Sequence, residues 1–209
     1  ADLDEFEGKE KIVGEGRLLR RAIEGDRLPS MLLWGPPGCG KTALAAVIAA
    51  RTGARFEPFS AVLGGVKDLR AIFAEAEQQR DMHTRRTVLF VDEIHRLNKA
   101  QQDVLLPHVE RGTVILIGAT TENPSFEVNA ALLSRTRVFV LEPLAEEHIG
   151  VLVDRALADE KRGLGKQKLS LGDEARTLLI GAARGDARRA LNTLEAAAEH
   201  VGEGGDIER

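Results

Sequence analysis

The sequence predicts an α/β fold in which a doubly wound parallel sheet is followed by a small all-helical domain. From Met31 onward, short apolar runs alternate with helical patterns, and a glycine-rich loop follows the first run. This alternation is typical of a parallel sheet covered by helices on both faces, and right-handed crossovers leave few other topologies. After Pro143 only helical patterns follow. We therefore expect an α/β domain over residues 1–142 and a helical domain over residues 143–209.

Each predicted element follows from the local pattern of apolar residues. The predicted strands are Met31–Trp34 and residues 55–59, 88–91, 114–118 and 138–141. The predicted helices of the α/β domain are Lys41–Arg51, residues 67–79, Lys99–Glu110 and residues 128–133. The helical domain is predicted to contain helices at residues 146–161, Asp173–Ala183 and residues 186–200, with Asp186 as N-cap of the last one. No strand is predicted after residue 142.

Composition indicates a globular protein of ordinary type. Of its 209 residues, 43% are hydrophobic and 30% are charged. No apolar run approaches the ~18 residues that a membrane-spanning helix needs, and no signal peptide is recognisable, so we expect a soluble protein without a membrane partner. The single cysteine, Cys39, excludes an internal disulfide framework and suits a reducing cytosol.

The charge pattern does not identify a nucleic-acid surface. A formal net charge of −4 argues against a strongly basic surface over the whole chain. Basic residues cluster locally at Arg20-Arg21 and at residues 80–86 and 184–189, and such clusters are typical of solvated helix faces. The chain begins with alanine and stops in a polar stretch, which leads us to expect a piece of a longer protein.

A complete phosphate-binding motif follows the first strand. The pattern G-x-x-x-x-G-K-[ST] is matched by Gly35, Pro36, Pro37, Gly38, Cys39, Gly40, Lys41 and Thr42. Glycines let backbone amides close around phosphates, and the following helix directs its positive end at the anion. We expect Lys41 to contact the β- and γ-phosphates of ATP and the hydroxyl of Thr42 to ligate Mg²⁺. A glycine-rich turn without a ligand is the alternative.

Cys39 lies inside this loop, at a position that contributes mainly backbone. The simpler interpretation is a small residue that the loop tolerates. The alternative is a thiol whose pKa is lowered by the nearby helix N-terminus and which is sensitive to oxidation.

Two adjacent carboxylates end an apolar strand further along the chain. Residues 87–93 read TVLFVDE, so Asp92 and Glu93 stand at the carboxyl end of the strand, where open parallel sheets bind ligands. We expect Asp92 to act on Mg²⁺ through a coordinated water and Glu93 to polarise the attacking water as general base. His95 is interpreted as a structural or signalling neighbour. The five histidines show no metal-ligand spacing, so no zinc site is predicted.

These motifs and the trailing helices together resemble an AAA+ ATPase with its helical lid domain. Residues 118–121 (GATT) resemble the sensor-1 segment, best matched by Thr121. Residues 132–136 (LLSRT) resemble the Ser-Arg-Cys motif of clamp loaders, which makes Arg135 an arginine finger acting on ATP of a neighbouring subunit, with Arg137 as rival. Residues 185–192 (GDARRALN) resemble the sensor-2 motif, which makes Arg188 the lid residue that touches the γ-phosphate.

Longer segments narrow the resemblance to one family. They are residues 4–8 (DEFEG), 14–22 (GEGRLLRRA), 30–35 (SMLLWG) and 118–129 (GATTENPSFEVN). These closely resemble the replication-associated recombination ATPases, called RarA or MgsA in bacteria and Werner-interacting ATPase in eukaryotes. The TENPSF stretch is much more specific than the phosphate loop. By resemblance, residues 6–14 lie near the adenine.

This resemblance implies a DNA-dependent ATPase of the cytoplasm and nucleoid that acts at stalled replication forks and at single-strand/double-strand junctions. It also implies binding to single-strand DNA-binding protein and a homo-tetramer built through a C-terminal domain. The sequence stops before any such domain, so the oligomeric state of this chain is left open, and a monomer is one outcome. Because Arg135 must come from a neighbour, we expect a monomer to bind Mg-ATP yet turn over poorly.

Two other interpretations stay open. One is a clamp-loader subunit or a branch-migration motor, which shares the same motifs; the TENPSFEVN run favours the recombination family. The other is an assembly switch in which ATP only controls association. The Asp92-Glu93 pair argues against a pure switch, because a binder needs no water-activating acid.

Overall fold

The computed structural model describes residue 3 and residues 6–208. By internal contacts the chain divides into two compact units. The first extends to Leu141 without Pro36–Gly40, and the second contains Pro36–Gly40 and the chain from Glu142 onward. Two acids of the family segment, Asp4 and Glu5, lie outside the described residues. Within the described part, no helix combines the length and apolar character needed to cross a membrane.

A five-stranded parallel sheet organises the first unit. Its strands are β1 (Met31–Trp34), β2 (Arg55–Ser60), β3 (Thr87–Asp92), β4 (Ile115–Thr120) and β5 (Arg137–Val140). Their order is β2-β3-β4-β1-β5, and every pairing is parallel. The chain crosses from β1 to the far edge at β2 and then returns through β3 and β4. Right-handed crossovers therefore place the helix after β1 on one face and the helices after β2 and β3 on the other. This confirms the predicted doubly wound parallel sheet.

The helices of the first unit largely follow the apolar pattern. They are α1 (Glu10–Val13), α2 (Leu18–Glu24), α3 (Lys41–Arg51), α4 (Val66–His83), α5 (Lys99–Glu110), α6 (Pro124–Glu127) and α7 (Ala130–Leu133). Both α3 and α5 have the predicted bounds, whereas α4 is longer than predicted and ends at a left-handed C-cap, Thr84. The helix predicted at 128–133 begins only at Ala130, as α7, and a short helix that was not predicted, α6, precedes it. Asn123 and Asn129 each cap one of them through the side chain, and Val128 between them is extended.

Large apolar side chains fill the space between the sheet and the α4–α5 pair. The strands contribute Leu32, Leu89, Val91 and Leu116, and the helices contribute Leu69, Phe73, Leu105 and Val109, all of them buried. Burying one such side chain contributes about 1.5–3 kcal/mol. Because a one-residue slip would turn these side chains to the wrong face, their burial holds the strands in register. The carboxyl ends of β1, β3 and β4 are thereby fixed relative to one another.

The second unit is mainly helical. Its helices are α8 (Glu146–Ala158), α9 (Asp173–Ala183) and α10 (Ala187–Val201), packed through Ile149, Val153, Leu179, Ile180, Ala190 and Leu194. Asp186 caps α10 as predicted, because its Oδ1 accepts a hydrogen bond from the amide of Arg189 at 3.0 Å. The first helix ends at Ala158, earlier than predicted. Asp159 closes a turn there, and hydrogen bonds from the amides of Arg162 and Lys161 hold the pKa of its carboxyl below the ordinary value.

The expectation that no strand follows residue 142 is wrong. A short strand β6 (Ser170–Leu171) pairs in parallel with β7 (Asp206–Ile207). Two-residue strands are too short to show an alternating pattern, so the sequence does not reveal them. Ile207 is 5% exposed and belongs to the core of the helical unit, which explains why the pairing forms there.

Candidate active site

The loop between β1 and α3 carries the predicted phosphate-binding residues. Its first residue, Gly35, extends the sheet, because its amide donates a hydrogen bond to the carbonyl of Thr120 at 3.1 Å. Gly38 and Gly40 have φ angles of +67° and +94°, in the region that favours glycine. Lys41 is buried, and its Nζ donates to the Gly35 carbonyl at 2.7 Å. The buried ammonium group therefore lies beside the start of the loop, within reach of an anion held there.

The other loop residues differ in exposure. Cys39 is only 1% exposed, which favours its interpretation as a small packing residue and leaves the thiol little access to oxidants. Pro36 is half-buried, whereas Pro37 and Thr42 are exposed. Thr42 stands in the first turn of α3 beside Lys41, so its hydroxyl lies where the helix N-terminus attracts an anion.

The segment Pro36–Gly40, which groups with the second unit, contacts the start of α10. The carbonyl of Gly38 accepts a hydrogen bond from the amide of Ala187 at 3.2 Å. A Cβ atom at Gly38 would lie 1.7 Å from Oδ1 of Asp186. Glycine is therefore required at this position twice, by the positive φ and by the close approach. Sequence analysis found Asp186 as a helix cap but missed this second contact.

The two carboxylates after β3 are separated by the backbone. Asp92 is the last strand residue and is exposed. Glu93 adopts the left-handed conformation, with φ 52° and ψ 48°, which costs about 1–2 kcal/mol for a residue with a Cβ. A short 3-10 helix, Ile94–Arg96, follows, and Ile94 is fully buried. Burial of Ile94 thus holds the turn that takes Glu93 out of the line of the strand.

A chain of polar contacts connects Glu93 to β4. Nε2 of His95 lies 3.2 Å from Oε2 of Glu93, and Nδ1 of the same ring lies 3.0 Å from Oγ1 of Thr120. Thr120 is fully buried, and its carbonyl receives the hydrogen bond from Gly35. One residue at the end of β4 therefore contacts both the start of the phosphate loop and the imidazole that touches Glu93.

Sequence analysis missed the role of Thr120. It selected Thr121, which follows β4 and is half-buried, as the sensor-1 residue. A threonine at the last position of an otherwise apolar buried strand was the available clue, because a fully buried hydroxyl requires a hydrogen-bond partner. The assignment of Thr121 as the residue that positions water stays a prediction.

The predicted arginine finger lies on the surface of the first unit. Arg135 is half-exposed and forms an ion pair with Glu110 at the end of α5. It also donates to Oγ of Ser134 at 2.7 Å and to the carbonyl of Ala131 at 3.3 Å. Its rival Arg137 is exposed in β5. The contacts of Arg135 hold its guanidinium at the surface, as a group acting on a neighbouring subunit requires.

Arg188, the predicted sensor-2 residue, lies in the second unit. It occupies the first turn of α10, is exposed, and follows the Asp186 cap. Its predicted contact with a γ-phosphate is an expectation from family resemblance.

The donors of the first unit suit a magnesium–nucleotide complex. A buried ammonium and a helix N-terminus fit phosphate oxygens, while the Thr42 hydroxyl and the exposed Asp92 carboxylate are the oxygen ligands that Mg²⁺ prefers. Among the described residues, no three His, Cys, Asp or Glu side chains converge on one point. A Mg²⁺ ion bound here would complete its shell with phosphate oxygens and water.

Comparison with known proteins agrees with this geometry. The family described as "ATPase family associated with various cellular activities (AAA)" matches residues 31–144. The chain is 53% identical over 197 residues to "Replication-associated recombination protein A" of Coxiella burnetii, covering 94% of the chain and 44% of that protein. It is 52% identical over 198 residues to the Escherichia coli K12 protein of the same name, covering 95% and 44%.

A eukaryotic relative and a solved structure extend the comparison. "ATPase WRNIP1" of Dictyostelium discoideum is 44% identical over 196 residues, covering 94% of the chain and 22% of that protein. The structure of the Thermotoga maritima RuvB Holliday junction branch migration motor superposes with a TM-score of 0.78 at 29% identity, covering 99% of the chain and 68% of that structure. The chain spans less than half the length of the curated relatives named here. It belongs to the AAA ATPase family and, within it, to the replication-associated recombination protein A group.

Proposed function

We propose that this chain is the Mg-ATP-hydrolysing part of a DNA-dependent protein of replication-fork maintenance and recombination. One arrangement carries the proposal. Within the first unit, Gly35 with the buried Lys41 and the contact chain Thr120–His95–Glu93 share the carboxyl edge of β1, β3 and β4. The connections after β1 and β4 leave toward opposite faces of the sheet, and open α/β sheets bind ligands at such a point.

The phosphate-binding residues would act before the chemical step. Lys41 exchanges its bond to the Gly35 carbonyl for the β- and γ-phosphate oxygens, and the amides of residues 35–42 surround the phosphates. Thr42 and Asp92 would hold Mg²⁺, Asp92 through a coordinated water. Bound Mg²⁺ supplies neutralisation of the charge that develops on the transferred phosphoryl group.

Glu93 would act as the general base. Its carboxylate accepts a proton as the water oxygen bonds to the γ-phosphorus and the bond from that phosphorus to the β–γ bridging oxygen breaks, which releases ADP and inorganic phosphate. Thr121 helps to orient that water. Loss of such a base slows a reaction about 10²–10⁴-fold.

The remaining roles rest on family resemblance. Arg135 acts on ATP of a neighbouring subunit in a homo-oligomer, and Arg188 senses the γ-phosphate from the helical unit. Arg135 lies at the surface, where a neighbouring subunit can reach it, and it would give up its ion pair with Glu110 to bind phosphate. The relatives are named for recombination, and the RuvB structure for branch migration, which supports DNA as the partner. Single-strand DNA-binding protein is proposed as a second partner.

A branch-migration motor is the second candidate, because the RuvB structure covers nearly the whole chain. Identity favours the first candidate, at 52–53% against 29%. Loading of a sliding clamp in a direct assay would favour a clamp-loader subunit. A Glu93→Gln variant with reduced turnover that kept all DNA-dependent function would favour an assembly switch.

The test is steady-state Mg-ATP hydrolysis over a wide range of protein concentrations, with and without forked DNA, for the wild type and for Glu93→Gln. We expect turnover that rises steeply with concentration, increases with DNA and is about 10²–10⁴-fold lower in the variant. Rapid turnover that does not depend on protein concentration would contradict the role of Arg135 in a neighbouring subunit.

Nucleotide binding is measured in the same samples. The single tryptophan, Trp34, is half-buried at the end of β1, directly before Gly35, so its fluorescence reports on the loop. At about a hundredfold excess over Kd, ATP should stabilise the fold by about 2–3 kcal/mol. Lys41→Ala should abolish both the ATP-dependent change in Trp34 fluorescence and the stabilisation by ATP. Absence of stabilisation in the wild type would overturn the proposed nucleotide site.

A further inference from the structure

We infer that His95 is the positioning residue for Glu93, and that it couples the carboxylate to the end of β4 through Thr120. The inference rests on the proposed function, because it assumes that Glu93 activates water. It adds a residue to which sequence analysis gave no catalytic part. It also gives the buried hydroxyl of Thr120 a function, as the hydrogen-bond partner that orients the His95 ring.

The geometry determines which ring nitrogen carries a proton. Nε2 lies 3.2 Å from a carboxylate oxygen of Glu93, and a carboxylate only accepts hydrogen bonds. Nε2 of His95 therefore carries a proton in both the neutral and the charged imidazole, because a bare nitrogen lone pair would repel the carboxylate. In the neutral ring Nδ1 is then an acceptor, and the hydroxyl of Thr120 at 3.0 Å is its donor.

The surroundings of Thr120 are consistent with this direction. The amide of Glu122 donates to Oγ1 of Thr120 at 3.0 Å, which occupies one acceptor position of the hydroxyl. The hydroxyl proton can go either to Nδ1 of His95 at 3.0 Å or to the Glu122 carbonyl at 3.2 Å. The imidazole is the nearer acceptor. The hydrogen bond from Thr120 to Nδ1 of His95 and the 3.2 Å contact of Nε2 with the Glu93 carboxylate then connect Thr120 to Glu93.

Burial makes this contact chain stiff. Thr120 is fully buried, and the side chain of His95 is only 9% exposed, whereas that of Glu93 is 39% exposed. The buried end is held by the sheet, and the exposed end is the carboxylate that meets water. His95 binds one carboxylate oxygen, which leaves the other for the attacking water.

The contact chain also connects Glu93 to the start of the phosphate loop. The backbone carbonyl of Thr120 also accepts a hydrogen bond from the amide of Gly35, the first residue of the phosphate loop. Movement at the end of β4 therefore reaches Glu93 through the contacts Thr120–His95 and His95–Glu93, without passing along the backbone of β3. Movement of Gly35 reaches it through one additional hydrogen bond, to Thr120. A misplacement of about 1 Å in a reacting group can cost about a hundredfold in rate.

The first test uses matched substitutions of His95 in the assembled protein, at a concentration where wild-type turnover is saturated. The side-chain amide introduced by His95→Gln can reach the place of Nε2, and the shorter amide introduced by His95→Asn can reach only the place of Nδ1. We expect kcat to fall about 10- to 100-fold in His95→Ala and His95→Asn, and to recover partly in His95→Gln. Nucleotide Kd, measured by Trp34 fluorescence, and Tm should stay near wild type. His83→Ala, at an exposed site in the last turn of α4, is the control and should leave kcat unchanged.

Combining substitutions separates positioning from a merely structural role. In the Glu93→Gln background, His95→Ala should lower turnover no further, because the group that it positions is gone. A further loss there, or an unchanged kcat in His95→Ala, would overturn the inference. If Glu93→Gln itself retained full turnover, the proposed function would fail instead, and the two failures are thus distinguishable.

A spectroscopic test needs no turnover. Imidazole ¹⁵N resonances of His95 should show a proton on Nε2, and both Thr120→Val and Glu93→Gln should shift them, while the ring of His83 is unaffected. Thr120→Ser should restore the wild-type shifts because it keeps the hydroxyl. A proton on Nδ1 with a bare Nε2, or resonances that ignore both substitutions, would contradict the contact chain.

Discussion

The core of the sheet unit and the core of the helical unit are filled by side chains of different size. Beside α4 and α5, Phe73 is 1% exposed and Leu105 is fully buried. In the helical unit, Ala175, Ala183 and Ala190 take core positions between longer side chains. Small side chains allow close approach but remove less apolar surface from water, at about 25 cal/mol per Å². Truncation of one core side chain should therefore lower the free energy of unfolding more in the sheet unit than in the helical unit.

The two units also differ in how deeply their polar interactions are buried. In the sheet unit, Lys41 and Thr120 are buried and hydrogen-bonded, and a buried polar group is costly once its partner is removed. In the helical unit, the ion pairs of Arg176 with Asp154 and of Arg162 with Asp159 are partly exposed. The rigid core and the candidate catalytic edge thus occur in one unit.

The largest effect is expected from Phe73→Ala. This ring packs in the cluster beside the sheet and stacks on His108 with ring centroids 3.9 Å apart. Its truncation should lower the free energy of unfolding by about 3–5 kcal/mol. Denaturant unfolding followed by Trp34 fluorescence measures the loss. Phe126→Ala, at a side chain that is 83% exposed, is the control and should change stability by less than about 0.5 kcal/mol.

The corresponding substitution in the helical unit is Leu194→Ala. Leu194 is 1% exposed, and its neighbours in the core include Ala183 and Ala190. We expect a loss of about 2–3 kcal/mol, at the lower end for such truncations, because helices around small residues can close on the cavity. Circular dichroism during denaturant unfolding gives the value, with Leu178→Ala at a half-exposed site as control. A loss as large as that of Phe73→Ala would remove the contrast between the two cores.

A smaller effect is expected from pH at His108. Burial, assisted by the charge of Arg111, lowers the pKa of this imidazole below its ordinary value of 6.5, and Glu77 at 3.8 Å only partly opposes the shift. The fold therefore prefers the neutral ring. Stability is complete above pH 6.5, begins to fall as the unfolded chain takes up a proton, and reaches its full loss below the lowered pKa.

The measurement compares Tm of the wild type and His108→Gln between about pH 8 and about pH 5. The wild type should lose more stability than the variant over this range. Parallel curves would show that His108 does not contribute to the pH dependence.

The smallest effect is expected from the exposed pair of the helical unit. Nε and Nη2 of Arg176 donate to the two oxygens of Asp154 at 3.0 and 2.8 Å, and these bonds hold the pKa of Asp154 below its ordinary value of 3.8. The contribution is present above pH 3.8 and is lost as pH falls through the lowered pKa. Asp154→Asn should cost only about 0.2–1 kcal/mol at neutral pH, and the loss should shrink in high salt. A loss above about 2 kcal/mol at neutral pH would exceed what an exposed pair provides.

Much of the fold could be predicted because apolar periodicity is strong where elements are long and buried. The bounds of β1, α3, α5 and α9 agree with the sequence pattern. The apolar pattern does not predict a helix boundary that is set by the hydrogen bonds of a single side chain. Asn129 begins a new helix inside the predicted segment 128–133, and Asp159 turns the chain before the predicted end at 161. Such capping choices depend on competing local hydrogen bonds that periodicity does not include.

The candidate site could be predicted as residues but not as a network. Asp92 and Glu93 were adjacent in the sequence, yet the left-handed backbone of Glu93 separates them in direction. The contact of His95 with Thr120 joins residues 25 positions apart and depends on the pairing of β3 with β4. Spacing in one sequence carries no information on that distance.

The backbone of Glu93 implies a conflict between durability and activity. A glycine at this position would adopt the observed angles without a Cβ penalty and would make the fold firmer by about 1 kcal/mol. It would also delete the carboxylate on which the proposed hydrolysis depends. Selection for thermal stability alone would therefore enrich Glu93→Gly, and the selected variants would lose the proposed catalytic base.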